Sequence, residues 1–332
     1  DIQRIYDRLD IKFDHELGES FYHDRLAGVV SSLESAGLAT ESDGATCVFI
    51  DGFETPMIVR KSDGAFLYAT TDLATIQYRM EHWQPDVILY VVDHRQGEHF
   101  EKLFATVQLQ GLKDVDLRHI SFGTVLGDDG KPFKTRAGDT VGLEGLLDDA
   151  VSKALAVVSE IDDGKSDEQR QHVAWAIGHA AIKYADLSQN RESDYVFSFD
   201  KMVAFQGNTA TYMQYAHARV RSIFAKGDVN VATLRQDATP ITLGEPAERA
   251  LGLALIRFAE AVNDVVVDFR PNLLTGYLYE LAKAYSTFFE SCPVLKAESE
   301  VLRTSRLKLC DLTARVLRQG LALLGIDVVE RM

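Results

Sequence analysis

Cysteine is scarce in this chain, and no apolar stretch is long. Its three thiols, Cys47, Cys292 and Cys310, are odd in number and include no Cys-x-x-Cys pair. Neither a disulfide framework nor a zinc site is suggested, and reduced, buried thiols are expected. No run reaches the roughly 18 to 20 apolar residues that cross a bilayer, and no basic, apolar leader opens the sequence, so a cytoplasmic chain without a membrane partner is expected. The histidines fall at no metal-ligand spacing, so no protein-held metal is expected. Internal repeats and low-complexity tracts are also missing. Cations are in deficit: a net charge of −15 makes most of the surface repel phosphate, which argues against indiscriminate nucleic-acid binding and against DNA. Any RNA contact must be local.

What is there describes an ordinary globular protein, 46% hydrophobic and 26% charged, and 332 residues call for two or more domains. The chain opens at Asp1 with Ile2 to Leu9 already helical in pattern, as expected of a piece of a longer protein. Local cationic stretches exist. Thr211 to Lys226 holds Arg219, Arg221 and Lys226 without an acid, and Arg303 to Arg318 sets five cations against Asp311. A solvated helix face has the same composition.

Two rhythms divide the chain. His23 to Ala36 has apolar residues at helical spacing before a Gly37 stop, and Thr46 to Ile50 and Met57 to Lys61 are short strands. Strand and helix then alternate: a strand over 66–69, a helix over 71–82 entered at a Thr-Thr-Asp cap, a strand over 86–92 buried on both faces, a helix over 96–110 and a strand over 120–125. That alternation predicts a parallel sheet covered by helices. From Leu143 the pattern is helical: 143–160, 167–186, 209–226, 246–268, 273–291 and 298–324, with one extended segment over 194–199 and polar loops at 162–165 and 228–244. Stripes such as Leu251, Leu255, Phe258 and Val262 read as bundle core.

Ligands of parallel sheets bind beyond the carboxyl ends of the strands. Three groups fall there: Tyr68 with Asp72, Asp93 with Gln96, and Gly123 onward. The last leads through the turn Gly127 to Gly130 into Lys131, Lys134 and Arg136, cations that can reach different oxygens of one triphosphate. A hairpin tip with solvated lysines has the same composition. Asp72 suits a cationic side chain oriented by Tyr68, since a guanidinium fork fits one carboxylate plus neutral acceptors such as the Tyr68 hydroxyl and the Gln96 amide. On these residues alone, a packed tyrosine with an ordinary N-terminal acid favoured by the helix dipole is the preferred reading.

Lys131 to Thr135 looks like a degenerate Lys-Met-Ser-Lys-Ser loop of class I aminoacyl-tRNA synthetases, and Phe122 to Arg136 is similar to its arginyl-tRNA synthetase form. Further matches run through Arg4 to Leu9, Leu67 to Ala74, Tyr90 to Asp93, Asn208 to Ala216 and Glu330 to Met332, almost the whole chain. The Pro-Phe in place of Met-Ser departs from the general loop but fits the arginyl branch. The family's His-Ile-Gly-His loop is missing, and the nearest string, Ala176 to His179, sits in mid-helix.

The resemblance implies an α/β portion followed by an all-α one: the second half of a class I Rossmann-like nucleotide fold with parallel strands, then a helical anticodon-binding bundle. It implies domains at 1–142, 143–204 (a connecting, stem-contact region) and 205–332. The activity implied is ATP-dependent joining of arginine to tRNA through arginyl-adenylate, by a fragment inactive alone, with magnesium beside ATP, in a monomer. Tyr68, Asp72 and Gln96 would bind arginine. Lys131 and Lys134 would clamp the triphosphate, and Phe122, Gly123, Val125 and His99 would meet the nucleotide. Tyr212, Arg219, Tyr285, Phe289 and Met332 would meet arginine tRNA, although helical spacing also fits Tyr285 and Phe289 to plain core packing. A non-catalytic, synthetase-like tRNA-binding module is the rival, and an unrelated nucleotide-binding α/β protein the third reading.

Overall fold

The structure is a computed structural model, and it describes residues 2–127, 129–132, 142–160, 166–202, 204 and 206–331. In chain order its elements are α1 (Ile2–Arg8), α2 (His23–Ser35), β1 (Ala39–Ser42), β2 (Ala45–Val48), β3 (Met57–Arg60), α3 (Tyr68–His82), β4 (Val87–Asp93), α4 (Gly97–Leu109), β5 (Asp116–Phe122) and β6 (Val125–Leu126). There follow α5 (Leu143–Ser159), α6 (Asp167–Leu187), β7 (Tyr195–Val196), α7 (Phe199–Met202), α8 (Ala210–Lys226), α9 (Val231–Gln236), α10 (Pro246–Ile256), α11 (Phe258–Asp268), α12 (Pro271–Ser291) and α13 (Glu300–Leu323). They form two compact units, Phe13–Gly123 on the one hand and Asp1–Lys12 with Thr124–Met332 on the other.

In the unit 13–123, α2 buries Leu26, Val29, Val30 and Leu33, one helical stripe, and stops at Gly37 as its sequence predicts. The antiparallel order β1-β2-β3 follows. β1 was not foreseen; it pairs with β2 across Asp43-Gly44, both at positive φ (51° and 76°), the backbone that a two-residue hairpin requires. β4 and β5 pair in parallel, Val87 opposite Asp116 through Asp93 opposite Phe122. Tyr90 and Val92 of β4 pack against a core shared by Leu73, Ile76, Phe100, Leu103 and Val107 of α3 and α4.

Three expectations are corrected here. Residues 66–69 are not a strand: Phe66 makes one antiparallel bridge to Arg60, and α3 begins at Tyr68. The buried positions Ala69, Leu73 and Ile76 carry the helical period back to that point, which outweighs the short apolar run. β4 is not covered on both faces, because Val87, Leu89 and Val91 are exposed, Val91 to 66%. An unbroken apolar run cannot by itself distinguish one covered face from two. The predicted strand 120–125 is split at Gly123 and Thr124: β5 ends at Phe122, and β6 pairs with β7.

In the other unit α5 and α6 form a tight hairpin. A Cβ on Gly178 would stand 2.7 Å from the Val151 backbone, so the glycine of the Ala176 to His179 string is demanded by a helix crossing. Lys183 of α6 donates to the carbonyls of Leu9 and Gly325, each at 2.5 Å. The bundle core is centred on Met213, Val220, Leu251, Leu278, Leu281, Tyr285, Phe288, Leu317 and Leu321. The helix predicted over 246–268 is two, α10 and α11, joined at Arg257. Inside the bundle Arg306 Nε donates to buried Glu248 Oε1 at 2.7 Å, and its Nη1 to the Pro293 carbonyl at 2.9 Å. Burial pushes the Glu248 carboxyl up, but the backbone N–H of Glu245 and the Arg306 guanidinium outweigh it and hold the acid below its ordinary range.

Candidate functional site

α3 and α4 bring their starts together. Tyr68 and Asp72 are one helical turn apart on α3, not at a strand end and a helix cap as predicted. Tyr68 is 71% exposed and makes no hydrogen bond among the described residues. Asp72 Oδ2 lies 2.7 Å from His99 Nε2, both side chains part-buried. Its other oxygen has no partner among the described residues. Gln96, exposed, is the N-cap of α4, one turn before His99.

Asp93 is not available to a ligand. It accepts from the Arg95 backbone N–H at 2.8 Å and from the Arg95 guanidinium at 2.8 and 2.7 Å, and those bonds hold its carboxyl well below the usual range. His94 Nδ1 stands 3.2 Å from the Phe122 carbonyl, and His119 Nε2 3.0 Å from that of Val92, so imidazoles tie together the carboxyl ends of both parallel strands. Phe122 is exposed there, beside Gly123. His99, expected at the nucleotide, is joined to Asp72. Sequence reading saw only that it follows Gln96 by one turn.

The base of the lysine loop belongs to the other unit. Thr124 N–H donates to Asp194 Oδ1 at 2.6 Å, and the Val125–Leu126 strand runs beside Tyr195–Val196, whose Tyr195 hydroxyl donates to Asp186 at 3.0 Å. Gly127 N–H donates to the Lys131 carbonyl at 2.8 Å, closing the turn and leaving Lys131 exposed. Lys134 and Arg136 lie outside the described residues.

On the bundle, a groove of about 1260 Å³ is lined by Arg219, Arg221, Lys226, Lys296 and Arg331 among others, with Glu330 its one acid among the described residues. Arg219 lies 4.8 Å from the ring centres of both Tyr215 and Phe289 and donates to the Tyr215 hydroxyl at 3.2 Å. Phe289 is 38% exposed. Tyr285, expected to meet RNA, is 0% exposed and sits in the core: Leu278, Leu281, Tyr285 and Phe288 form one inward stripe, and Phe289 turns out of it. Tyr212 is also turned to the bundle, 3.3 Å from Ser286 Oγ and edge-on to Tyr279. On α8 an exposed ring is Tyr215, which sequence reading missed although it stands one turn before Arg219. Gln214 and His217 hold the carbonyls of Asp327 and Val329, while Arg221 and Arg318 clasp Glu330. Met332 lies outside the described residues.

A parallel-strand nucleotide unit and a helical bundle with a cationic groove are the parts of a class I tRNA synthetase. The comparison with known proteins agrees: residues 1–199 match the family of tRNA synthetases class I (R), catalytic domain, and the chain belongs to that family. Residues 213–332 match the DALR anticodon binding domain. Among curated relatives, the arginine–tRNA ligase of Rhodopirellula baltica is 55% identical over 346 residues, covering 100% of this chain and 52% of that protein. The arginine–tRNA ligase of Trichodesmium erythraeum is 49% identical, with 100% and 58% covered. The arginyl-tRNA synthetase structure from Plasmodium falciparum superposes with a TM-score of 0.88 at 30% identity, over 100% of this chain and 56% of that one. The Thermus thermophilus arginyl-tRNA synthetase gives 0.87 at 25% identity, over 99% and 62%. The chain thus spans roughly half the length of the curated relatives that it matches.

Proposed function

We propose that this chain works in the ATP-dependent attachment of arginine to tRNA through arginyl-adenylate. The observation that carries the reading is the notch at the starts of α3 and α4, where Asp72 keeps one oxygen without a partner among the described residues, with exposed Tyr68 one turn before it and exposed Gln96 capping α4. A guanidinium would take its charge from Asp72 and its remaining acceptors from Tyr68 and Gln96. The arginine carboxylate attacks the α-phosphorus of ATP, forming a carboxyl–phosphorus bond and releasing pyrophosphate. That step needs positioning and charge stabilisation rather than a protein nucleophile. Lys131 and Lys134 serve as the charge clamp, and Phe122, Gly123 and Val125 as the adenine edge.

Magnesium enters with ATP as part of the substrate. Among the described residues no group of three or more His, Cys, Asp or Glu could hold a metal ion. The bundle takes the anticodon arm of arginine tRNA, with Arg219, Tyr215 and Phe289 as a stacking edge and Met332 beside them. The division of labour follows 1–142, 143–204 and 205–332. A cytoplasmic monomer completes the reading, and no helix among the described residues is long and apolar enough to cross a membrane.

The test is arginine-dependent ATP–pyrophosphate exchange by the protein as its gene encodes it, beside its binding to arginine tRNA with native or altered anticodon. Exchange with arginine and preference for the native anticodon are expected. Binding without exchange would favour a tRNA-binding module, and neither result would sink the reading.

A further inference from the structure

Resting on the charge-clamp reading of Lys131 and Lys134 above, we infer that Asp194 is a positioning residue for the adenylate-forming step: it fixes the strand from which the lysine loop springs. Thr124 is gripped at both backbone groups by one short segment. Its N–H donates to Asp194 Oδ1 at 2.6 Å, and its carbonyl accepts from the Tyr195 N–H at 3.2 Å. The Phe197 N–H then donates to the Leu126 carbonyl at 2.9 Å, which completes the pairing of β6 with β7.

The loop hangs on that pairing. β6 is two residues long, and so short a ladder is marginal without further partners. On its other side Leu126 makes an antiparallel bridge to Pro132, and the Gly127 N–H donates to the Lys131 carbonyl at 2.8 Å. β6 therefore lies between β7 and the backbone that carries Lys131, and a shift of β6 is a shift of that lysine.

β7 is itself held from behind. The Tyr195 hydroxyl donates to Asp186 Oδ1 of α6 at 3.0 Å. Arg191 Nε donates at 2.9 Å to the carbonyl of Phe269, the left-handed residue (φ 52°) between α11 and α12, and Arg270 pairs with Glu192 at 3.3 Å. The segment 191–196 is thus a strap, fastened to α6 and to the corner of α11 and α12, that ends on Thr124. Asp194 is exposed, so replacing it opens no cavity, and its bond matters for where the loop sits more than for whether the chain folds. A charge clamp loses rate when its base moves by a fraction of an ångström.

The test uses the protein as its gene encodes it, in arginine-dependent ATP–pyrophosphate exchange with arginine tRNA present, beside thermal melting. Asp194→Ala is expected to lower kcat about ten-fold, short of the roughly 100-fold of a 1 Å misplacement because Thr124 keeps its carbonyl bond, with KM for arginine and the melting midpoint unchanged. Asp194→Asn, whose amide oxygen still accepts from the Thr124 N–H, is expected to restore the rate. A wild-type kcat in Asp194→Ala overturns the inference, and so does a loss that Asp194→Asn fails to restore or that comes with a lowered melting midpoint. Should Asp194→Ala fail to fold, Asp194→Ser, one bond shorter than the native side chain, is judged by the same outcomes. Lys134→Ala separates this inference from the reading beneath it. If Lys134→Ala leaves kcat unchanged, the clamp itself fails; if it lowers kcat while Asp194→Ala does not, only the role of Asp194 fails.

Discussion

The notch on α3 and α4 and the groove on the bundle solve opposite problems. The notch offers a single carboxylate, 30% exposed, with His99 as its one hydrogen-bond partner among the described residues. The groove offers several cations whose positions are set from behind, by aromatic faces on either side of Arg219 and by side chains that clasp the segment 327–330. A small cation can be read by one anion. A polyanion is read by many cations, and those must be prevented from collapsing onto the acids of a chain with a net charge of −15. The notch should therefore fail through its own residues, and the groove through its supports as well.

The largest effect is expected at such a support. Arg306→Ala leaves Glu248 charged and unpaired in the bundle and frees the Pro293 carbonyl at the groove wall, costing about 3–5 kcal/mol in urea unfolding. The same pair makes the bundle acid-sensitive. Because the folded Glu248 titrates below its unfolded value, its contribution is fully present above the unfolded carboxylate range, about pH 4.5, and is lost as the pH falls through the folded one. An unfolding series from pH 6 to pH 3 should show the loss in the wild type and much less of it in a Glu248→Leu, Arg306→Met double variant.

Next in size is the notch itself. Asp72→Asn keeps the shape and removes the charge, and is expected to raise KM for arginine by about 100-fold, the worth of a charged hydrogen-bond pair near 3 kcal/mol, while melting stays within about 0.5 kcal/mol of wild type. The smallest effect is at the groove surface. Arg219→Ala should weaken binding of arginine tRNA by about ten-fold and reduce the slope of log affinity against log salt by just under one. If it instead cost as much stability as Arg306→Ala, the distinction between a groove's supports and its surface would collapse.

Helices were the most legible part of the chain, because an apolar stripe at 3.6-residue spacing survives any tertiary arrangement; α2 and α12 both carry one and bury it. Contacts between distant segments were not legible. Asp72 and Gln96 could be chosen separately from strand ends, but their joining through His99 depends on how α3 crosses α4, which neither segment states. Tyr285 and Phe289 differ by four residues and look alike as letters, yet one lies on the inward stripe and the other beside it. The error at Tyr68 has a similar origin: Phe66 to Ala69 satisfies a strand and the first turn of a helix equally until the buried partners are known. Asp43-Gly44, by contrast, was a readable hairpin signal that went unused.

Lys183 has a consequence for how the molecule opens. One ammonium holds the carbonyls of Leu9 and Gly325, which are far apart in sequence, and burial lowers its pKa, so both bonds are made from one shielded donor. The turn after α1 and the turn after α13 then share a latch, and amide hydrogens in the two stretches would exchange with solvent in concert, as one cooperative opening rather than two.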